Sequence, residues 1–545
     1  MEDVKEFYKK LLNYDKNNFA LIKSADEYYM CHYIGSPLNI LTGFSGTTAE
    51  AIINGLGEIT LFVDPRYHEQ ADFETKGKNI KVVKMNFGEN FSNAISKALE
   101  GKKLFVSGSI NFLFYEKLKD KGLEIEPYKD LEGFGENKNV NLKNGVFFLD
   151  TLKNTKDKLK TLKEGIKKRH GARYELITSL EEIAYLTNLR SFSMDNTSTF
   201  KSRLLIDFGA KEGVLGLLFC DYEIKNLPQG LLQLKIKDFE QKIKSINEEI
   251  IFSKGSITLG DYNLIKKPLE CRKNIVAKMA SIKEKNEIEH LKSAFSRLDK
   301  ALNSFKDKIK AGLSEYELKE IFEEELLKYG AKTTSFKTIL AVSDNSSSIH
   351  YSNYDKNKIL KEGDLILLDC GGYYEMGLAT DITRVFVCGN PQNNALGKKQ
   401  KEVYSAVLKA FLNCYHSNAH TGADLDKIAR KILTPWAKEG FLFPHALGHG
   451  IGIPVHQSPP VISSYGDKKF PLYKNMVHSI EPGLYCENKP FKFGIRLENT
   501  VFATGRGKRE SLSHFEFEEK LIERSLLTKK EQKWLDMWQK KAGRA

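Results

Sequence analysis

The sequence predicts two similar α/β domains followed by an α+β domain, and three observations predict it. Residues 19–125 alternate short apolar, β-like runs with helical segments. A related pattern recurs between residues 184 and 223, as an internal duplication would leave it. From about Ile282 long amphipathic helices take over, with strand-like runs between and after them. A chain of 545 residues is too long for one hydrophobic core, so several domains are required in any case.

In the first domain, residues 1–153, ALIKS, EAIINGL, ITLFVD, NIKVVKM and KKLFVSG read as strands. Helices fit around 67–74 and 91–99, and the Gly/Asn/Lys-rich stretch 133–145 marks the boundary. The second domain, 154–278, opens on a charged helical segment at 154–170. Its AYLTNLRS, SRLLIDFG and VLGLLFCDYE repeat the order of NILTGFSG, AEAIING and ITLFVDPRY: a Leu-Thr strand end, an apolar strand, a turn, a second apolar strand, an acidic end.

In the third domain, 279–545, Ile288, Leu291, Phe295, Leu298, Leu302, Phe305 and Ile309 form one helical stripe. A second helix starts at the capping box Ser314/Glu317 and stops at Gly330. Further helices fit 397–415 and 423–438. LILLDCGGYY, ATDITRVFVC, HSIEPGLYC and FGIRLENTVFA read as strands.

Bulk properties exclude several functions. No apolar run approaches the ~20 residues that span a bilayer. The N-terminus MEDVKEFYKK has no apolar stretch behind a basic start, so the expectation is a cytoplasmic protein with no membrane partner. The seven cysteines form no CxxC and are odd in number, which argues for reduced thiols. The net charge is +13, but lysines alternate with glutamates, as between 283 and 292, so a solvated surface is expected and no nucleic-acid partner.

The chemistry concentrates in the third domain. If the hairpin between LILLD and ATDITRVF folds symmetrically about Glu375, Asp369 and Asp381 lie opposite each other, ~5 Å apart. Two bare carboxylates that close repel, and a divalent cation between them removes the conflict. Two turn-flanking aspartates in solvent are the alternative for the pair alone. Glu481 in SIEPG and Glu498 in GIRLEN stand in largely apolar segments, where an unpaired carboxylate is costly. His449 stands in PHALGHGIG, whose glycines permit close backbone approach. Five O/N ligands without a thiolate suit two cations such as Mn, Co, Zn or Fe. Cys370 follows Asp369 in a strand and points to the other face.

The set Asp369, Asp381, His449, Glu481 and Glu498, in that order, resembles the pita-bread metallopeptidases, M24. It most resembles their three-domain Xaa-Pro aminopeptidases (aminopeptidase P). TGFSGTTAEAII with VDPRYHEQA resembles their first domain, SLEEIAYLTNLR their second, and KLIERSLLTKKEQKWLDMW their C-terminal tail. The resemblance implies two creatinase-like α/β domains and a pita-bread α+β catalytic domain. It implies that Asp381 and Glu498 bridge two metals, most readily Mn2+ with Co2+ or Zn2+ possible, that Asp369 completes one ion and that His449 with Glu481 completes the other. Glu481 would also handle the proton of the bridging water.

His350, His445 and His456 resemble the histidines that steady the scissile carbonyl, and Arg496 the arginine that orients a ligand carboxylate. The implied activity is hydrolysis of the N-terminal Xaa-Pro bond, on peptides with proline second, by a homodimer. Prolidase is the alternative; a non-catalytic relative would have lost ligands that this chain keeps. The hairpin looks one residue longer than usual, Ala446 and Leu447 fill positions often Gly and Thr, and Asn499 replaces a frequent aspartate. His32, His68, His170, His290, His416, His420, His478 and His514 are read as structural.

Overall fold

The computed structural model describes residues 2–26, 28, 36–128, 145–167, 171–210, 213–271, 274–465 and 469–543. Cys31, His32, His170 and the boundary stretch up to Asn144 lie outside the described residues. The chain falls into two compact units, 1–189 with 199–276, and 190–198 with 277–545.

The first unit contains two six-stranded sheets. One consists of β1 (Asn18–Lys23), β2 (Ala49–Asn54), β3 (Ile59–Val63), β4 (Ile80–Lys84), β5 (Lys103–Ser107) and β6 (Glu124–Tyr128), in the order β4-β3-β2-β1-β5-β6. The other consists of β7 (Tyr174–Ile177), β8 (Arg203–Asp207), β9 (Gly216–Phe219), β10 (Leu231–Leu234), β11 (Ile250–Phe252) and β12 (Pro268–Glu270), in the order β10-β9-β8-β7-β11-β12. Strand directions repeat as well. In each sheet the first strand runs antiparallel to the second and parallel to the fifth, and both outer pairs are parallel. The two sheets share one apolar cluster, in which Phe112 stacks on Tyr262 at 3.8 Å between ring centroids.

NILT and AYLT do not end strands, as the sequence pattern suggested. They end the helices α1 (Pro37–Thr42) and α2 (Leu180–Thr187), each N-capped by a serine, Ser36 and Ser179. Each helix stops at a residue in the left-handed region, Gly43 at φ 74° and Asn188 at φ 57°. A four-residue apolar window cannot separate a period of 2 from one of 3.6. The repeat therefore survives with a different element in its first position.

In the second unit, α3 (Lys285–Lys308) buries Ile288, Leu291, Phe295, Leu298, Leu302 and Phe305, and Ile309 is its C-cap. A capping box opens it between Glu284 and Glu287. The Ser314/Glu317 box opens α4 (Glu315–Lys328), and Gly330 at φ 97° follows it. α5 (Ala395–His416) and α6 (Gly422–Leu433) pack on each other, and a 3-10 turn continues α6 to Glu439.

The strands β13 (Ile339–Val342), β14 (Leu365–Cys370) and β15 (Ile382–Val387) form one antiparallel sheet. A second combines β16 (Gly448–Gly450), β17 (Gln457–Ile462), β18 (Val477–Ile480), β21 (Asn499–Gly505) and β22 (Lys508–Ser511), and β19 (Gly483–Cys486) pairs with β20 (Phe493–Arg496). HSIEPGLYC and FGIRLENTVFA are therefore each two strands. The first breaks at Glu481-Pro482, where proline offers no N–H to a ladder, and the second at Leu497-Glu498. Both glutamates stand where the chain crosses between these two sheets. Among the described residues no helix is long and apolar enough to cross a membrane.

Candidate metal centre

β14 and β15 pair with Asp369 opposite Thr383, and nearer the turn Tyr373 faces Ala379. The hairpin is thus centred on Met376, and Asp381 is not directly opposite Asp369 as the symmetric reading expected. It lies diagonally, on the same face, because cross-strand partners and residues two apart share a face. The turn is fixed by several bonds. Gly377 takes φ 64°, its N–H donates to the Tyr374 carbonyl at 2.8 Å, and the Met376 and Gly377 carbonyls accept from Arg190 Nε (3.1 Å) and Ser198 Oγ (2.6 Å).

His449 reaches this hairpin on β16. A Cβ at Gly448 would sit 2.4 Å from the Ser479 carbonyl oxygen, so glycine alone lets β16 approach β18 so closely. The His449 backbone N–H donates to Ser479 Oγ at 3.0 Å, and that hydroxyl donates to Glu481 Oε1 at 3.0 Å. His449 Nδ1 lies 3.1 Å from the Gly450 carbonyl, which assigns the ring proton to Nδ1. Nε2 faces Asp381 Oδ2 at 3.4 Å and Glu481 Oε1 at 3.3 Å. One atom from each of Asp381, His449 and Glu498 falls within 4.8 Å of the others.

The carboxylates are half-satisfied. Asp369 Oδ2 accepts from Arg496 Nη2 at 2.7 Å while its Oδ1 is buried without a partner. Glu498 Oε2 accepts from Thr383 Oγ1 at 2.7 Å while its Oε1 is likewise orphaned. Each group thus has one oxygen fixed and one unspent. Burial, then the neighbouring Glu498, Asp369 and Glu481, push Asp381 well above the usual carboxylate range; burial, Glu481 and Asp369 do the same to Glu498. A ring nitrogen facing two carboxylates, beside two buried carboxylate oxygens without partners, is a donor set that a cation would complete. Cys370 stays outside the donor set, with Sγ 3.7 Å from the Ile382 carbonyl and its thiol pushed up by burial.

Arg496 joins this cluster to the expected substrate side. Its Nη1 donates to Tyr485 Oη at 2.7 Å and to the Ile349 carbonyl at 3.3 Å, next to His350. Tyr485 Oη lies 3.1 Å from His445 Nε2, and His445 Nδ1 lies 2.8 Å from the Ala446 carbonyl. Both His445 nitrogens are therefore engaged, and one bond must be exchanged before the ring can donate to a substrate. The exposed His456 ring stands 4.3 Å from that of His449, centroid to centroid.

Sequence reasoning missed Tyr485 and Thr383. Alternation from Asp381 would have placed Thr383 on the ligand face; no local signal marks Tyr485. Asn499 accepts from Arg384 Nη2 at 2.8 Å and donates to Ser511 Oγ at 3.0 Å. His478 is fully buried, donates from Nδ1 to the Ser479 carbonyl at 2.9 Å, and is pushed down to about 3 by burial.

Comparison with known proteins gives two family models. Metallopeptidase family M24 matches residues 289–505, and the Creatinase/Prolidase N-terminal domain matches 143–289. A relative from Pyrococcus furiosus named Xaa-Pro dipeptidase is 31% identical, over 53% of this chain and 81% of its own. A probable Xaa-Pro aminopeptidase P from Laccaria bicolor is 26% identical, over 91% of this chain and 82% of its own. Among solved structures, X-prolyl aminopeptidase from Caenorhabditis elegans superposes with TM-score 0.82 at 21% identity, covering 96% of this chain and 91% of that one. The prolidase from Pyrococcus horikoshii gives 0.55 at 27%, covering 67% and 100%. The pita-bread architecture is thereby established for this fold.

Proposed function

Because the chain belongs to metallopeptidase family M24, we propose that it is an Xaa-Pro aminopeptidase that removes the N-terminal residue preceding proline. One observation carries this over prolidase. Likeness to the aminopeptidase P relative runs over 91% of the chain, whereas likeness to the Pyrococcus furiosus dipeptidase covers 53%. We read 1–153, 154–278 and 279–545 as its three domains.

Asp381 and Glu498 are proposed to bridge two divalent ions, Asp369 to complete one, and His449 with Glu481 the other. Manganese is the proposed ion, on the strength of the oxygen-rich donor set. When bound, the ions polarise the scissile carbonyl and make water nucleophilic at neutral pH. The chain's residues do the rest. Glu481, held by Ser479, takes the proton of the attacking water as the acyl C–O bond forms. It returns that proton to the proline nitrogen as the C–N bond breaks. Arg496 keeps Asp369 oriented, and His350, His445 and His456 steady the carbonyl oxygen. A homodimer in the cytoplasm completes the reading.

The test is cleavage of an Ala-Pro-Ala tripeptide beside its N-acetylated form, an Ala-Pro dipeptide and a Met-Ala-Ser tripeptide. The tripeptide with a free amino group should be cut between Ala and Pro and the acetylated one should resist. Preference for the dipeptide would make the protein a prolidase. Preference for Met-Ala-Ser would place it with the methionine aminopeptidases.

A further inference from the structure

The loop between β13 and β14 carries His350 and has no regular structure of its own beyond a 3-10 turn at Ser343–Ser347. Bonds from Lys358 to Asp344, from the Glu315 N–H to the Lys358 carbonyl and from the Leu360 N–H to the Leu313 carbonyl help hold it, and one buried carboxylate gathers more of its groups than any of these. Glu315, fully buried at the start of α4, accepts from the Val342 N–H at 2.7 Å, Asn345 Nδ2 at 3.2 Å, Tyr351 Oη at 2.5 Å and the Asp355 N–H at 2.9 Å. Among the described residues it has no lysine or arginine partner, so its charge is balanced by neutral donors alone.

The two backbone amides are placed tellingly. Val342 precedes Ser343 at φ 50°, and Asp355 follows Tyr354 at φ 37°. Non-glycine residues pay for positive φ, and such strain persists only where surrounding bonds impose it. Glu315 thus bonds the backbone beside both strained residues, where Ser343 Oγ also donates to Asp364 Oδ1 and Tyr354 Oη to the Thr338 carbonyl. Tyr351, bonded to the same carboxylate and to Asn345 Nδ2 at 3.0 Å, is the neighbour of His350. On the loop's other side Ser346 Oγ accepts from the Gly494 N–H at 2.9 Å, and the Ile349 carbonyl accepts from Arg496. The strand that carries Arg496 therefore forms the opposite wall.

We propose that Glu315 is a positioning residue for the reaction: it fixes the backbone of 342–355 so that the His350 ring is presented to the substrate beside the metal centre. The proposal rests on the role given above to His350. A misplacement of about 1 Å can cost ~10²-fold in rate, and a partly relaxed loop less.

The experiment is a double-mutant cycle on the manganese-loaded enzyme with Ala-Pro-Ala, using Glu315→Gln, His350→Ala and both together. Glutamine keeps the shape but turns N–H groups toward donors. Glu315→Gln should lower kcat about tenfold in the native background and less than twofold beside His350→Ala, with metal content unchanged. Equal loss in both backgrounds, or an unaltered kcat in a folded variant, overturns the proposal. A fully active His350→Ala overturns both the histidine's role and its positioning residue; a slow His350→Ala beside a native-like Glu315→Gln overturns only the latter. If Glu315→Gln does not fold, Tyr351→Phe, which keeps the two backbone bonds, replaces it in the same cycle with the same criteria.

Discussion

Both units bury carboxylates, and they meet the cost differently. In the first unit, burial and then the neighbouring Glu182 push Glu175 on β7 up to about 8; burial pushes Glu182 to about 7. Glu175 Oε2 is buried without a partner, and Asn274 is the side-chain amide that meets Glu182. A proton resolves that pair. In the second unit Asp381, Glu481 and Glu498 gather around His449, whose Nε2 faces the first two, while Arg496 and Thr383 each fix one oxygen of Asp369 and Glu498 and leave another unspent. Here two buried carboxylate oxygens, one each on Asp369 and Glu498, stay without a hydrogen-bond partner beside a ring nitrogen. A buried acid alone is therefore no sign of a metal site; an acid cluster gathered around a histidine ring nitrogen, with carboxylate oxygens left unpartnered, is a better one.

The comparison breaks most visibly at Glu481. Glu481→Gln removes both a proposed ligand and the proton carrier, and kcat on Ala-Pro-Ala should fall about 10²–10⁴-fold in steady-state assays. A variant with native kcat would remove Glu481 from the chemistry. His456→Ala should lose about 10²–10³-fold in kcat while keeping its full metal content, because it is assigned to the substrate and not to the ions. Loss of metal in that variant would move His456 among the ligands.

The smallest effect lies in the first unit. Glu175 holds a proton when folded that it releases when unfolded, between its ordinary value of 4.5 and about 8. Its contribution to stability is intact below pH 4.5 and is lost as pH rises through 8. Glu175→Gln should match the native Tm near pH 4.5 and exceed it by roughly 2–4 °C at pH 8.5, with activity unchanged. A Tm difference that does not vary with pH would mean that Glu175 is not protonated in the fold.

Residue type and order pointed to the candidate ligands, carboxylates in apolar strands and a histidine between glycines, and the structure brings Asp381, His449 and Glu498 within 4.8 Å of one another. The register of Asp369 and Asp381 was not legible. It depends on Gly377 and on Arg190 and Ser198, which lie 186 and 179 residues from the carbonyls they bind. Tyr485 was invisible for the same reason, since its Oη gains meaning only from Arg496 and His445. Glu315 reads locally as a first-turn acid, and its four donors come from 27 to 40 residues downstream. The helices α1 and α2 were misread because their apolar windows are shorter than either period needs.

Elemental analysis of manganese-reconstituted native protein and of Asp381→Asn tests the centre most directly. The account predicts about two equivalents per native chain and loss from both positions in the variant, because Asp381 is proposed to bridge. Native protein without bound metal, or an Asp381→Asn variant that retains two equivalents and full activity, would contradict it.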